Sequence, residues 1–299
     1  MSKNRNQNRI GRTDPIVVAS YIMVTLVTLI CFIPFWLIIV GSVSAESDIL
    51  KYGYSLWPKN WSVASYSMVF QIPERIVNAY KISITITVVG TFVSLFFSAM
   101  AAYVLMRKDF RYRNFIAMFL YFPSLFSGGL LPTYLLISKY LGLKDNILAL
   151  ILPGMISAWN IFLLRNFMND IPDSLMESAK IDGASDFTVF TRIILPLSKA
   201  GLATIGLFTA LGYWNSWSGA MLYINDQKLY PLQYLLYTML STAAGLKELA
   251  SAAGIAIPDL PSETYKMAMA IVTTGPILLV YPFVQRYFVK GVTVGAVKG

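Results

Sequence analysis

The chain has 299 residues, of which 56% are hydrophobic and 13% are charged, and its formal net charge is +9. Soluble domains carry about a quarter charged residues, so this composition excludes an ordinary soluble protein and indicates an integral membrane protein. The sequence has no histidine and one cysteine, Cys31, which excludes imidazole-based metal sites, histidine-dependent catalysis and an intrachain disulfide. We attribute the positive charge to segments that face anionic lipid, and we predict no binding to nucleic acid.

The N-terminal segment 1–14 is basic, and a charge-free apolar run from Pro15 to Ala45 follows it. Basic residues before an apolar run also occur in signal peptides, but their apolar part is only about 7 to 15 residues long. The run in this chain is much longer. We therefore predict a retained first membrane span after a cytoplasmic basic segment.

Six charge-free windows are long enough for a membrane-spanning helix, which needs about 20 apolar residues. They lie at 15–45, 82–106, 114–138, 146–164, 200–225 and 267–285. Because these windows are continuously apolar rather than alternating, they predict six transmembrane helices in one all-α domain, 15–285, and not a barrel.

The distribution of lysine and arginine predicts how the helices are oriented. With a cytoplasmic N-terminus, the cytoplasmic segments 1–14, 107–113, 165–199 and 286–299 carry fifteen basic residues in total. The external segments 46–81, 139–145 and 226–266 carry nine. This bias predicts that both termini are cytoplasmic, and the clearest single signal is the short loop 107–113, which carries four basic residues in seven positions.

A polar insert between the fourth and fifth windows is predicted to form two short helices. Asp170 is the predicted N-cap of the first helix, and Pro172 is predicted in its first turn. Gly183 suits the left-handed residue that ends a helix, Ser185 is the predicted cap of the second helix, and Pro196 is predicted to end it.

The residues of this insert allow two interpretations. A helix pair that docks onto a partner would use small residues for close approach, Glu177 and Asp182 for charge-assisted hydrogen bonds, and apolar anchors. The candidate anchors, facing either a partner or the bundle, are Leu175, Met176, Phe187 and Phe190. The alternative is an amphipathic helix pair that lies on the membrane surface with its acids in water.

The fifth window contains a cluster of aromatic and polar residues that is unusual for a membrane helix: Tyr213, Trp214, Asn215 and Trp217. Aromatic faces with neighbouring amides match the apolar faces and hydroxyl rims of sugars. We predict that these residues line a substrate path. Interfacial anchoring and helix packing are the alternative roles of such residues.

The insert resembles the EAA loop of ABC-importer permeases, the cytoplasmic helix pair that docks into a cleft of the ATPase subunit. The resemblance rests on fixed spacings over about twenty residues, at Glu177, Ser178, Ala179, Asp182, Gly183, Ala184, Leu195 and Pro196. Ser178, where the family has alanine, is the one departure. The segment 165–199 is called the EAA-like loop below.

The chain as a whole resembles carbohydrate permeases of the maltose-transporter type. The resemblance implies an all-α type I importer permease with six transmembrane helices in a bacterial cell membrane. The implied partners are a second, non-identical permease subunit, two ATPase subunits and an extracellular or periplasmic solute-binding protein. The implied substrate is a carbohydrate, with oligosaccharides favoured. The chain itself is expected to bind no cofactor and no metal, because ATP and Mg²⁺ belong to the ATPase subunits.

Two further segments take their expected roles from this resemblance alone. The tail 286–299 is expected to contact the ATPase subunits through Lys290, Gly295 and Lys298. The external loop 226–266 is expected to enter the solute-binding protein.

Other functions stay open on the sequence. Secondary carriers usually keep an ionisable residue inside the membrane, whereas all charges of this chain lie outside the six windows, although neutral oxygens can also hold sodium. A membrane enzyme would need clustered acids, histidine or cysteine. The chain also has no phosphate-binding loop of the G-x-x-x-x-G-K-[ST] type. A permease for a non-sugar solute remains an alternative within the importer class.

Overall fold

In the computed structural model, the described residues are 15–71, 73–126, 128–252 and 263–278. They are mostly helical, and the β-type pairing within these ranges is an isolated antiparallel bridge between Ser44 and Trp61. The predicted all-α fold is therefore confirmed. The N-terminal segment 1–14, the end of the sixth window and the tail 286–299 lie outside the described residues.

Two helices are each long and apolar enough to cross a membrane. Helix α1 is Pro15–Ser42 and helix α4 is Pro73–Met106, with mean hydropathies of 2.7 and 2.0 over their most apolar stretches. The side chains of α1 are exposed along almost its whole length, from Ile16 to Phe35, as expected for a helix that contacts lipid.

The third and fourth predicted spans are broken helices. The third combines α5 (Arg113–Leu125) with α6 (Leu130–Leu135) and the π-helical turn Leu136–Tyr140. The fourth combines α7 (Leu148–Ile151), a 3-10 turn and α8 (Ala158–Asn169), with a bend of 52°. A third bent pair joins Asp186–Leu197 to Lys199–Asn215, and counting each bent pair as one span gives up to five spans in the described residues.

The break in the fourth span has a local cause. Pro153 lies in the 3-10 turn Leu152–Gly154, where its missing N–H group removes one helical hydrogen bond. Ser157 then begins α8, because its Oγ accepts a hydrogen bond from the Asn160 N–H at 3.4 Å.

The chain divides into two compact units, and the first contains the described residues of Met1–Gln71 and Leu246–Val272. Besides α1, it contains the short helices α2 (Glu46–Tyr52) and α3 (Ala64–Val69). The Glu46 carboxylate accepts hydrogen bonds from the N–H groups of Glu263 and Thr264 at 3.0 and 2.9 Å. It therefore caps the N-terminus of the helix that begins at residue 263.

The second unit contains the described residues of Ile72–Gly245 and Thr273–Gly299. Its core forms where α4 packs against α8 and against α12 (Lys199–Asn215). Leu105, Leu164 and Ile205 are fully or almost fully buried there. A β-carbon at Gly201 would lie 2.7 Å from the Phe167 ring, so this glycine lets α12 approach α8 closely.

The segment 226–266, expected as an external loop, contains a 21-residue helix, α14 (Leu232–Ala252). The short helix α13 (Ser218–Tyr223) and the 3-10 turn Gln227–Leu229 precede it. Polar residues interrupt the apolar run of α14, at Gln233, Thr238, Ser241 and Thr242, which is why hydropathy alone did not predict this helix.

Candidate functional site

The first helix of the EAA-like loop, α9, is Asp173–Ile181. Pro172 precedes it with an extended backbone (φ −60°, ψ 131°), whereas Asp170 keeps a helical backbone and ends α8. The prediction that Asp170 caps the first helix is therefore wrong. The chain leaves the helical conformation only at the proline, so α9 begins two residues later than the sequence suggested.

The predicted break between the two helices is confirmed at Gly183. This residue has a φ of +80°, which L side chains rarely adopt. Its N–H group bonds to the Lys180 carbonyl at 3.0 Å, and the Ala184 N–H group bonds to the Ala179 carbonyl at 2.9 Å. These two bonds form a Schellman motif, which satisfies the last carbonyl groups of α9.

The second helix begins where predicted but ends later. Ser185 Oγ accepts a hydrogen bond from the Thr188 N–H at 3.2 Å and caps α10 (Asp186–Val189). A π-helical turn and the short helix α11 (Leu195–Leu197) follow. Pro196 lies in the first turn of α11, a position at which the missing N–H group of proline is tolerated. The prediction that Pro196 ends the helix is therefore wrong by one residue. The chain then bends by 80° into α12.

The helix pair has an inner and an outer face. Met176, Ala179, Ala184 and Leu195 pack against the core of the second unit, and Phe190 is part of that core. The polar and small residues on the outer face are exposed, namely Glu177, Ser178, Asp182 and Gly183. The residues of the EAA-like pattern thus divide between packing and surface positions.

Three large apolar side chains also lie on the exposed surface of the helix pair. Leu175, Ile181 and Phe187 are 44%, 87% and 62% exposed. Sequence reasoning did not single out Ile181, although it follows Glu177 by four residues and therefore shares its helix face. An exposed apolar surface rimmed by acids is typical of a protein-interaction site.

A network of ion pairs ties the helix pair to the basic loop 107–113. The Arg107 guanidinium contacts the carboxylates of Asp109 and Asp186, and Lys180 Nζ lies 3.6 Å from both carboxylates. Lys108 Nζ lies 2.8 Å from the Asp173 carboxylate at the start of α9. We call the contacts of Arg107, Asp109, Lys180 and Asp186 the Arg107 network.

The carboxylates of Asp109 and Asp186 stay ionised at neutral pH. Hydrogen bonds from Arg107 hold the pKa of Asp109 and the pKa of Asp186 below their usual range, although burial opposes the shift. Because these pKa values are lowered in the folded state, the resulting stabilisation is present above the ordinary carboxyl pKa. It is lost as the pH falls through the folded-state pKa values. Both carboxylates are mostly exposed, so solvent screens the interaction.

Aromatic rings add a second link between α4 and the helix pair. Tyr103 of α4 and Phe190 have ring centroids 5.4 Å apart, and the Arg107 guanidinium carbon lies 6.0 Å from the Tyr103 ring centroid. Both rings are buried. The end of α4 and the second helix of the pair are thus joined by apolar packing and by charge.

Two of the predicted substrate-path residues lie inside the fold. Tyr213 donates a hydrogen bond to the Ile151 carbonyl at 2.9 Å. Its side chain fills the space beside two glycines. A β-carbon at Gly90 would lie 2.7 Å from the Tyr213 ring, and one at Gly154 would lie 3.0 Å from the Tyr213 hydroxyl. Trp214 is 7% exposed, and its indole N–H has no partner among the described residues.

Asn215 and Trp217, in contrast, are exposed at the break that follows α12. Trp217 stacks on Tyr237 of α14 with a centroid distance of 4.5 Å. The Asn215 Oδ1 accepts a hydrogen bond from Gln233 Nε2 at 3.4 Å. The structure therefore adds Gln233 and Tyr237, which sequence reasoning missed because α14 was not predicted.

No cluster of three or more acidic or cysteine side chains suited to a metal ion occurs within the described ranges. The predicted ATPase contacts Lys290, Gly295 and Lys298 lie outside those ranges.

Comparisons with known proteins agree on the class of protein. Residues 94–294 match the model of the family described as binding-protein-dependent transport system inner membrane component. The polygalacturonan/rhamnogalacturonan transport system permease protein YtcP of Bacillus subtilis is 42% identical over 271 residues, covering 91% of this chain and 94% of that protein. Protein LplC of the same organism is 43% identical over 274 residues and 90% of each chain.

A solved structure gives the same result at the level of the fold. A chain of a bacterial ABC transporter involved in the import of the acidic polysaccharide alginate matches with a TM-score of 0.79 and 27% identity. The match covers 93% of this chain and 98% of that chain.

Proposed function

Because the chain belongs to the family of binding-protein-dependent transport system inner membrane components, we propose that it is a permease subunit of an ATP-driven sugar importer. The observation that carries this proposal is the surface of the EAA-like loop. A rigid helix pair presents exposed apolar and acidic side chains, which suits docking onto another subunit.

ABC-importer permeases work with an ATPase and a solute-binding protein. The proposed assembly here contains two ATPase subunits and a second, non-identical permease subunit in the bacterial inner membrane. Nucleotide chemistry is assigned to the ATPase subunits, with ATP and Mg²⁺ bound there. The chain then catalyses no reaction alone but forms half of the translocation path.

Coupling in this proposal passes from the ATPase to the helix pair and then to α4. Closure of the ATPase subunits on ATP would displace α9 and α10. The Arg107 network and the Tyr103–Phe190 contact would transmit that displacement, because they join the pair to the end of α4. A short helix pair with satisfied backbone groups at its break suits this role better than a flexible loop.

The proposed substrate is an oligosaccharide, and Trp217 and Asn215 are its proposed contacts. A stacked aromatic pair and two side-chain amides lie together at the exposed break after α12, which is suitable chemistry for a sugar. The named substrates of YtcP and of the alginate importer are acidic polysaccharides, so oligosaccharides that contain uronic acids are the first to test.

Mild-detergent purification of the tagged chain from its native cell, followed by mass spectrometry, tests the assembly. The proposal predicts that a P-loop ATPase and a second multi-span permease co-purify. A stable, monodisperse chain without these subunits would instead support a secondary carrier. Competition by uronic-acid and neutral oligosaccharides for uptake in the same cells then tests the substrate class.

A further inference from the structure

A cavity of about 370 Å³ lies where α4, α5, α8 and α9 meet. Its polar lining residues come from the basic loop, from the first residue of α5, and from the end of α8 and the start of α9: Lys108, Arg113, Arg165, Asn169, Asp170 and Asp173. All of these residues belong to the second compact unit. The cavity is separate from the exposed break after α12 that we assign to sugar.

Two of the three cations that line this cavity have no ion-pair partner among the described residues. It contains three cations and two acids, and one of those acids, Asp173, pairs with Lys108 at 2.8 Å. Neither Arg113 nor Arg165 forms an ion pair with a described residue. The Nε atom of Arg165 is buried and has no hydrogen-bond partner among the described residues. A bound anion would therefore contact the other guanidinium nitrogens of Arg165, which lines the cavity and has no ion-pair partner within the described ranges.

The position of the cavity indicates which anion it would bind. It lies at the helix ends that border the predicted cytoplasmic segments 107–113 and 165–199. Basic cavities between helices on that side of a membrane are typical sites for the headgroups of anionic lipids. Within its first turns, α5 also exposes Phe115, Met118 and Phe119, which are 72%, 70% and 69% exposed. Apolar surface for an acyl chain therefore lies on the same helix as Arg113.

We propose that this cavity binds the phosphate group of an anionic phospholipid, with Arg113 and Arg165 as its principal contacts. Because Pro172 and Asp173 also line the cavity, the bound lipid would contact the start of the EAA-like loop. This lipid site does not depend on the sugar-importer function proposed above, and its test measures lipid binding alone.

The experiment is native mass spectrometry of the tagged chain, purified with whatever subunits accompany it, after titration with phosphatidylglycerol or phosphatidylcholine. The parent protein should retain phosphatidylglycerol in preference to phosphatidylcholine. Each cation that contacts the phosphate contributes about fivefold to the affinity. The variant with Arg113→Gln and Arg165→Gln should therefore bind phosphatidylglycerol about 5- to 25-fold more weakly.

Arg192→Gln is the matched control, because it removes the same charge from an exposed position of the EAA-like loop, and it should leave binding unchanged. Equal retention of both lipids by the parent protein would overturn the proposal, and this comparison needs no variant. Loss of bound phosphatidylglycerol at an equal concentration of inorganic phosphate would also overturn it, because the site would then prefer free phosphate to the lipid.

Discussion

Gly183 shows how one residue can combine a folding role with a proposed docking role. Its left-handed backbone closes the Schellman motif, and no described residue beyond its immediate neighbours places an atom within 4 Å of where a β-carbon would stand. A substitution here therefore meets backbone strain within the chain but no steric clash.

Gly183→Asp is expected to abolish transport while the protein remains in the membrane, because added bulk and charge would prevent the helix pair from seating on a partner. Gly183→Ala should cost about 1 kcal/mol of stability from the left-handed backbone and should retain most uptake. Gly142→Asp is the matched control, since Gly142 also has a positive φ and open space around it. Normal sugar uptake by Gly183→Asp in whole cells would count heavily against docking at this position.

Trp217 and Tyr213 separate a proposed sugar contact from a packing residue. Because Trp217 is proposed to contact the sugar, Trp217→Ala should remove about 1 kcal/mol of aromatic contact with the substrate and raise the KM for uptake five- to tenfold. Tyr213→Phe loses only the buried hydrogen bond to Ile151; it should destabilise the protein by about 1 kcal/mol and leave KM unchanged. An unchanged KM for Trp217→Ala in a folded transporter would remove Trp217 from the substrate path.

At the scale of elements, the basic loop 107–113 does more than orient the chain. Its four basic residues predicted that it is cytoplasmic. The structure adds ion pairs from Arg107 and Lys108 to the EAA-like loop. Single exposed ion pairs stabilise a protein by less than about 1 kcal/mol. The side chain of Arg107, however, is only 16% exposed and contacts two carboxylates, which makes it the centre of the network.

If the Arg107 network transmits the coupling movement, Arg107→Gln and Asp186→Asn should each lower the sugar transported per ATP hydrolysed. Because both variants break the same contact, the double variant should be no worse than the more severe single variant. The measurement is the ratio of transport to ATP hydrolysis in proteoliposomes. Arg111→Gln is the control, since Arg111 contacts a tyrosine ring and no described carboxylate. Fully additive losses would contradict a shared role.

The sequence predicted some elements well because their signals are local. The positive φ of Gly183 and the Ser185 cap depend on backbone geometry that few residue types satisfy, and both were confirmed. Asp170 and Pro196 were misassigned because a helix end also depends on neighbouring turns. The contact of Arg107 with Asp186 joins residues 79 positions apart, and no spacing rule can predict such a pair.

Local signals also predicted some of the proposed sugar contacts, but not the residues that pack beside them. The composition of the fifth window identified Trp217 and Asn215, but their partners Tyr237 and Gln233 lie on α14. Polar residues lower the hydropathy of that helix, so its apolar run resembled a loop. Tyr213 is buried because glycines of other helices leave space for its side chain. Those glycines are distant in sequence, so the burial could not be predicted from the fifth window alone.

At the scale of the whole molecule, the chain has the composition of a membrane protein and the family match of a permease. Its predicted orientation places the EAA-like loop in the cytoplasm, and that prediction used only lysine and arginine. A docking surface for an ATPase has to be on that side. The surface that the structure exposes there, with Ile181, Leu175 and Phe187, is the part of the molecule on which the importer proposal depends.

The most direct test of this account is photo-cross-linking in living cells, with a photoactivatable phenylalanine derivative in place of Ile181, which is 87% exposed. The same derivative in place of Tyr140, which is 78% exposed on the predicted external side, is the control. The account predicts that position 181 cross-links to a P-loop ATPase and that position 140 does not. A probe at position 181 that cross-links only to lipid, in a chain that still supports uptake, would contradict the coupling role of the EAA-like loop.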